Sequence, residues 1–226
     1  MSVKAKLAAS AATFAVVGGS VGAFGAMSAS AATPSCGKKC IELYTEKYGK
    51  NYQLDSSGTS SATGNKIILF QAANSDRALD FTYSIQGTVD QIAKDDPSLV
   101  PAGLKLHYGS DPAFELEYAP WGVNSSQCVG TWPGQNVANG YKVRLEPCGQ
   151  GASTLWVFDE AEAHKGYAPL IAGQQSNYSN PYVMTEPGDG PTSQPRPWVQ
   201  VQNISTYSNG VVFDNQMWSA KLGADK

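Results

Sequence analysis

Catalysis needs a nucleophile, a base or a metal, and this chain offers few groups for any of them. It has two histidines, His107 and His164. His107 alternates with Leu106 and Tyr108, and His164 lies in a charged turn from Glu160 to Lys165. Both read as solvated side chains. The only Gly-x-Ser-x-Gly pattern, the frame of a nucleophile elbow, runs from Gly18 to Gly22. That places it inside a segment that reads as an export signal, so it carries no nucleophile. No His-Glu-x-x-His and no Gly-x-x-x-x-Gly-Lys-Ser/Thr occurs. Glu115 and Glu117 could pair as acid and base. However, they sit on one face of one strand, whereas glycosidase carboxylates face each other across a cleft. The expectation is a protein with no catalytic residue, no metal and no cofactor.

Cysteine chemistry points away from metal as well. Cys36 and Cys40 have a metal-like spacing, but Cys128 and Cys148 lie far apart and no His is near either pair. An even number of cysteines in an exported chain favours two disulfides, in one of three connectivities.

Export is read from the first residues. Lys4 and Lys6 precede an apolar stretch from Leu7 to Met27, which closes on Ala29-Ser30-Ala31-Ala32. A basic start, an apolar middle and small residues at the cut make a signal peptide over 1–32, cleaved after Ala31 or Ala32. Gly18, Gly19, Gly22 and Gly25 weaken the stretch as a membrane helix, and no charged stop follows. The protein is therefore expected to be secreted, with residues 33–226 forming one domain. A domain of this size buries roughly 70% of its unfolded surface and needs no extra staples. The full chain has 16 Lys and Arg against 19 Asp and Glu, a net charge of −3. Losing Lys4 and Lys6 makes it more acidic. No run of Lys and Arg offers a footprint for nucleic acid. No later segment is apolar for long enough to cross a membrane, so neither nucleic acid nor membrane is an expected partner after cleavage.

The elements that must position any site are mostly strands. Phe114–Tyr118, Lys142–Glu146, Leu104–Tyr108 and Leu79–Tyr83 alternate apolar and polar residues, the signature of half-buried strands. Lys66–Phe70 is apolar on both faces and reads as more central. Turn residues at Gly58, Gly64-Asn65, Asn139-Gly140, Gly149 and Asn209-Gly210 punctuate the runs, as in a sandwich or barrel. One insert, about 84–103, departs from this pattern. Thr88-Val89-Asp90-Gln91 is a capping box, and Val89, Ile92 and Ala93 share a helical face that Asp96-Pro97 ends. The insert reads as a cover over one end of a barrel. The proline-rich stretch from Thr185 to Pro197 reads as a stiff loop.

An internal repeat organises these strands. Tyr52–Asp55, a polar loop, Asn65–Phe70, a second loop and Leu79-Asp80-Phe81 share a layout with Gln127–Gly130, a loop, Lys142–Cys148, a loop and Thr154-Leu155-Trp156. Pro181–Met184, Trp198–Val201 and Asn215–Trp218 form a looser third copy. Gln216-Met217-Trp218 matches the Gln-x-Trp motif that closes each repeat of the ricin-type β-trefoil lectins, and the chain resembles that family. The resemblance implies an all-β fold, a β-trefoil with three pseudo-repeats at about 36–84, 104–160 and 166–222. It makes Phe81, Trp156 and Trp218 core residues. It implies that Cys128 pairs with Cys148, which leaves Cys36 for Cys40 across a turn at Gly37.

The same resemblance implies where a sugar would bind. The family's site uses an Asp on the second strand, an aromatic at the end of the third and an Asn beside the closing Gln. Asp55 and Phe70 match in the first repeat, where Ala78 replaces the Asn. The second repeat has Gly130, Glu146 and Ser153 at these positions, and the third keeps Asn215 and Gln216, with Met184 near the Asp position and Gln202 near the aromatic. The tentative carbohydrate-binding residues are thus Asp55, Phe70, Asn215 and Gln216, split between repeats. Asp55 would otherwise serve as a turn or loop cap. Trp121 and Trp132, flanked by turn residues, read either as exposed aromatics on loops or as plugs on the barrel end. The leading functional expectation is a non-catalytic module for a glycan or cell-wall polysaccharide. The competing one is a protein partner, as for the protease inhibitors of this fold.

Overall fold

Alternating runs of about five residues make strands too short to bury an apolar face alone, so they must close on one another. The computed structural model describes residues 40–72, 80–188, 190–192 and 196–222, and there the strands come in three successive units. The first unit holds β1 (Ile41–Thr45), β2 (Tyr52–Ser56), β3 (Ile67–Gln71) and β4 (Phe81–Thr88). The second holds β5 (Pro112–Tyr118), β6 (Gln127–Gly130), the short β7 (Tyr141–Lys142), β8 (Arg144–Pro147) and β9 (Leu155–Phe158). The third holds β10 (Ala168–Ala172), β11 (Tyr182–Thr185), β12 (Gln200–Asn203) and β13 (Met217–Leu222).

The first and last strands of each unit pair antiparallel in a closed ring, β1–β4–β5–β9–β10–β13 and back to β1. Closure leaves the ring without an exposed edge. The inner strands form hairpins β2–β3, β6–β8 and β11–β12. These hairpins meet through a cycle of backbone hydrogen bonds. The Ile67 N–H donates to the Val143 carbonyl at 3.3 Å, Val143 to Val199 at 2.8 Å, and Val199 back to Ile67 at 2.9 Å. A closed ring capped by three such hairpins is a β-trefoil, and Ile67, Val143 and Val199 mark equivalent points of its pseudo-repeats.

The closing aromatics fill the barrel. Phe81, Trp156 and Trp218 are each at most 1% exposed and pack with Leu43, Leu116 and Leu170 in one apolar cluster. The Trp156 indole N–H donates to the Val129 carbonyl and that of Trp218 to the Met184 carbonyl, both at 2.8 Å. Val129 and Met184 occupy the same place in β6 and β11, so the tryptophans tie each hairpin to the ring in the same way. Phe81 has no N–H and contributes packing alone.

The insert differs from its sequence reading in extent and place. The capping box forms: the Gln91 N–H donates to Thr88 Oγ1 at 3.2 Å and the Thr88 N–H to Gln91 Oε1 at 2.8 Å. It opens α1 (Val89–Asp95), but strand β4 first runs on to Thr88. The expected strand Leu104–Tyr108 is instead α2 (Ala102–Tyr108), started after Pro101. Leu104 is fully buried and Tyr108 nearly so, while Leu106 is 82% exposed. Positions i and i+4 share a face in both a strand and a helix, so five residues could not separate the two periods. The residue that decides is Leu106, which faces water.

Both helices pack on the outside of the barrel wall rather than over its end. Val89, Ile92, Leu104 and Tyr108 cluster with Leu155, Val157 and Ile171, which alternate with the inward Trp156, Leu170 and Ala172. Gly103 permits this contact, because a Cβ there would lie 2.8 Å from the Tyr178 ring.

Trp156→Ala is expected to cost about 3–5 kcal/mol, with Trp156→Phe costing about 1 kcal/mol for the lost indole hydrogen bond. Trp121, 42% exposed on a turn, should cost under about 1 kcal/mol on truncation. Urea melts of the three variants read this directly. Equal losses at positions 121 and 156 would contradict the assignment of Trp121 to an exposed turn.

Candidate functional site

The hairpin registers define which residues correspond. Leu54 faces Leu69, Val129 faces Leu145 and Met184 faces Val201. Asp55, Gly130 and Thr185 are therefore equivalent, and the Asp position of the third repeat is Thr185 rather than Met184. Phe70, Glu146 and Gln202 correspond at the aromatic position, as the repeat alignment has it.

These positions are largely occupied by the fold itself. Asp55 is not in a turn. It lies within β2 opposite Ile68, is 2% exposed and is engaged in an interaction of its own. Phe70, on the partner strand, has the Arg196 guanidinium 4.1 Å from its ring centre. At Gly130 a Cβ would lie 2.8 Å from the Ser153 carbonyl oxygen and 2.9 Å from Thr154 Cγ2. Glu146 is buried and ion-paired with Arg144. In the third repeat Gln216 is 1% exposed; its Oε1 accepts from the Ser205 N–H at 2.8 Å and its Nε2 donates to the Asn203 carbonyl at 2.9 Å and to Thr185 Oγ1 at 3.2 Å. Asn215 Nδ2 donates to the Glu186 carbonyl at 2.8 Å. Asp55 and Phe70 thus share the first hairpin, whereas Asn215 and Gln216 fasten the turn before β13 to the third. Ala78, at the Asn position of the first repeat, lies outside the described residues.

The strand carboxylates are structural. Glu115, 1% exposed, accepts from the Gly149 N–H at 3.1 Å and from Thr154 Oγ1. Burial pushes its carboxyl above the usual range, against those two hydrogen bonds. Glu117 accepts from the Ser126 N–H at 2.7 Å and Asn124 Nδ2 at 2.9 Å. Ser126 and Gly149 flank the second hairpin, which the Cys128–Cys148 disulfide also closes. Cys40 is disulfide-bonded, and its expected partner Cys36 lies outside the described residues. His107 sits in α2, not on a strand, and stacks on Tyr178 at 6.1 Å between ring centres.

An open concavity lies elsewhere, between the second and third hairpins. It encloses about 360 Å³ and is lined by Trp132, Gln135, Tyr141, Lys142, Arg144 and Trp198. Trp132 is 52% exposed, and the Arg144 guanidinium stacks 3.4 Å from its ring centre. Lys142 Nζ donates to Gln200 Oε1 at 3.1 Å. Lys66 joins the rim: its ammonium lies 5.8 Å from the Trp198 ring centre and donates to the Arg196 carbonyl. Burial holds the Lys66 pKa below its ordinary value, and the charge on Lys142 lowers it further. Cations scattered along the sequence thus converge here, contrary to the expectation of no basic cluster. The repeat contains the signal for this. Lys66, Lys142 and Trp198 each precede a member of the Ile67–Val143–Val199 cycle, so the topology sets them around one axis.

No family model matches the chain, and no curated protein matches it. Solved structures do. The designed three-fold symmetric protein ThreeFoil is 14% identical, with a TM-score of 0.49 over 80% of this chain and 96% of its own. A mosquitocidal holotoxin is 10% identical, with a TM-score of 0.53 over 81% of this chain, which spans only 17% of the toxin. The Polyporus squamosus lectin is 12% identical, with a TM-score of 0.47 over 81% of this chain and 49% of its own. At such identities the likeness is one of fold. The closed ring and the hairpin cycle give the conclusion, with which the TM-score of 0.53 agrees: the chain is a β-trefoil.

Proposed function

We propose that this protein is a secreted, non-catalytic carbohydrate-binding module whose lectin-type positions are degenerate and whose binding surface is the cleft of Trp132, Tyr141 and Trp198. The observation that carries the reading is this cleft. A sugar presents apolar C–H faces and a rim of hydroxyls, and it needs rings beside hydrogen-bonding groups. The cleft supplies both, with three aromatic rings next to Gln135, Lys142 and Arg144. Its volume falls within the usual range for small-ligand sites. A half-exposed tryptophan adds little to a core and leaves a ring face for a ligand.

The lectin-type positions support the degenerate reading by their chemistry. The carboxylate, amides and hydroxyl that would hold sugar hydroxyls are committed to the protein itself, and displacing those bonds costs about what new ones return. The strand carboxylates support the non-catalytic reading, because each holds a backbone N–H in place. Secretion rests on the signal-like segment 1–32, which lies outside the described residues.

Retention of the purified protein on a panel of immobilised polysaccharides tests the reading. Trp132→Ala is expected to abolish retention while leaving the circular dichroism spectrum unchanged, since stacking on one ring carries ~1–3 kcal/mol of a weak complex. Retention of that variant at wild-type level would remove the cleft from the account, and failure of the wild type to bind any polysaccharide would remove the carbohydrate reading. Gly130→Asp, which restores the family's acid in the second repeat, is expected to lose about 1–3 kcal/mol of stability through overpacking and to gain no sugar binding. A stable variant with new affinity would show that this position is open after all.

A further inference from the structure

Charge distinguishes this cleft from a surface for neutral sugars. Its lining contains Lys142 and Arg144 and no carboxylate. The whole chain has more acid than base, 19 Asp and Glu against 16 Lys and Arg, so the bias here runs against the average. Arg144 is neutralised by Glu146, and its guanidinium lies over the Trp132 ring, 3.4 Å from the ring centre. Lys66 and Lys142 are not neutralised. Among the described residues the ion pairs are Lys47–Glu186, Lys105–Asp90, Arg144–Glu146 and Lys165–Glu46. The two lysines instead hold neutral oxygens, the Arg196 carbonyl and Gln200 Oε1. Both flank Trp198: the Lys66 ammonium lies 5.8 Å from its ring centre and Lys142 lines the same concavity, and the charge on Lys142 disfavours that on Lys66.

Building on the carbohydrate reading, we propose that the cleft takes an acidic sugar: a pyranose bearing a sulfate or a carboxylate, with its ring against Trp132 and Trp198 and its anion held by Lys142 and Lys66. The pseudo-threefold axis supplies the geometry. Two of the three equivalent positions before the backbone cycle carry a lysine, and the third carries Trp198. An anion set among Lys66, Lys142 and Trp198 therefore meets two ammonium groups and leaves its ring beside an indole. Each half of that arrangement excludes a simpler ligand. A neutral sugar has no use for two unpaired lysines at one spot, and their mutual repulsion would persist in the complex. A nucleic-acid backbone has no use for a concave pair of rings. It is held by a broader field, about 6–10 phosphate contacts in a typical duplex complex, whereas Lys142 in the cleft and Lys66 beside it are two cations without a carboxylate partner. An anion between the lysines relieves the repulsion, and charge-assisted hydrogen bonds are the stronger kind.

Binding of the purified full chain to dextran, dextran sulfate, polygalacturonate and duplex DNA, each at low and high salt, tests the inference. Dextran and its sulfate share a backbone, so their difference isolates the anion, and polygalacturonate separates carboxylate from sulfate. At least one acidic polysaccharide should bind about tenfold more tightly than dextran, and Lys142→Gln should remove about that factor, the scale of one hydrogen bond to a charged group. Lys142 is exposed, so this variant should fold as the wild type does. Trp132→Ala should weaken acidic-polysaccharide binding as well, and DNA should bind more weakly than the best acidic polysaccharide. Equal binding of dextran and both acidic polymers, still lost in Trp132→Ala, would overturn the acidic-sugar inference and leave the carbohydrate reading standing. Equal binding of DNA and dextran sulfate, unaffected by Trp132→Ala, would overturn both in favour of a plain polyanion surface. Binding to none of these polymers would overturn the inference alone, since the wider polysaccharide panel decides the carbohydrate reading.

Discussion

Three backbone hydrogen bonds, from Ile67 to Val143, from Val143 to Val199 and from Val199 to Ile67, join the hairpins into one cap. Each is worth only about 0.5–1.5 kcal/mol net, but the cycle matters more than the sum. Every hairpin both donates to one neighbour and accepts from the other, so none can move without breaking bonds on two sides. An amide left open at this buried centre would bear its full desolvation cost. The six-strand ring beneath is fixed in the same sense, because a closed sheet admits no slip of a single strand. Residues far apart in sequence acquire exact spatial relations through this constraint.

The repeats then diverge within a common frame. Trp156 and Trp218 reach from ring to hairpin through an indole N–H, while Phe81 reaches the same layer with carbon alone. The second repeat adds a disulfide and two carboxylates that hold the ends of its hairpin. Between the first and second lies the helical insert, which covers apolar side chains on the outer wall of β5, β9 and β10. Outward Leu155, Val157 and Ile171 explain why the insert must be there: without it, three large apolar groups on one wall would face water.

The same frame explains how the lectin-type positions are used. Side chains at lectin-type positions have become fasteners, as with Gln216, which bonds to three groups of the third repeat. At Gly130 the Ser153 carbonyl has closed in until no side chain fits. What remains open is the seam between the second and third hairpins, where rings and cations gather around the axis.

Much of this was legible in the chain. The three-copy layout and the capping box at Thr88 follow from residue type and local order, while the core role of Phe81, Trp156 and Trp218 and the Cys128–Cys148 pair came through the family resemblance carried by Gln216-Met217-Trp218. The layout and the cap are properties of a repeat and a helix start, and each is written in short runs of residues. The tertiary structure alone decided the rest. Leu104–Tyr108 became a helix because burial selected Leu104 and Tyr108 and left Leu106 in water, a choice its five residues do not contain. Asp55 went inside because β2 pairs along its whole length with β3. The cleft depended most on the fold: Lys66, Lys142 and Trp198 belong to three different repeats, and only the pseudo-threefold closure, which makes equivalent positions neighbours in space, brings them to one place.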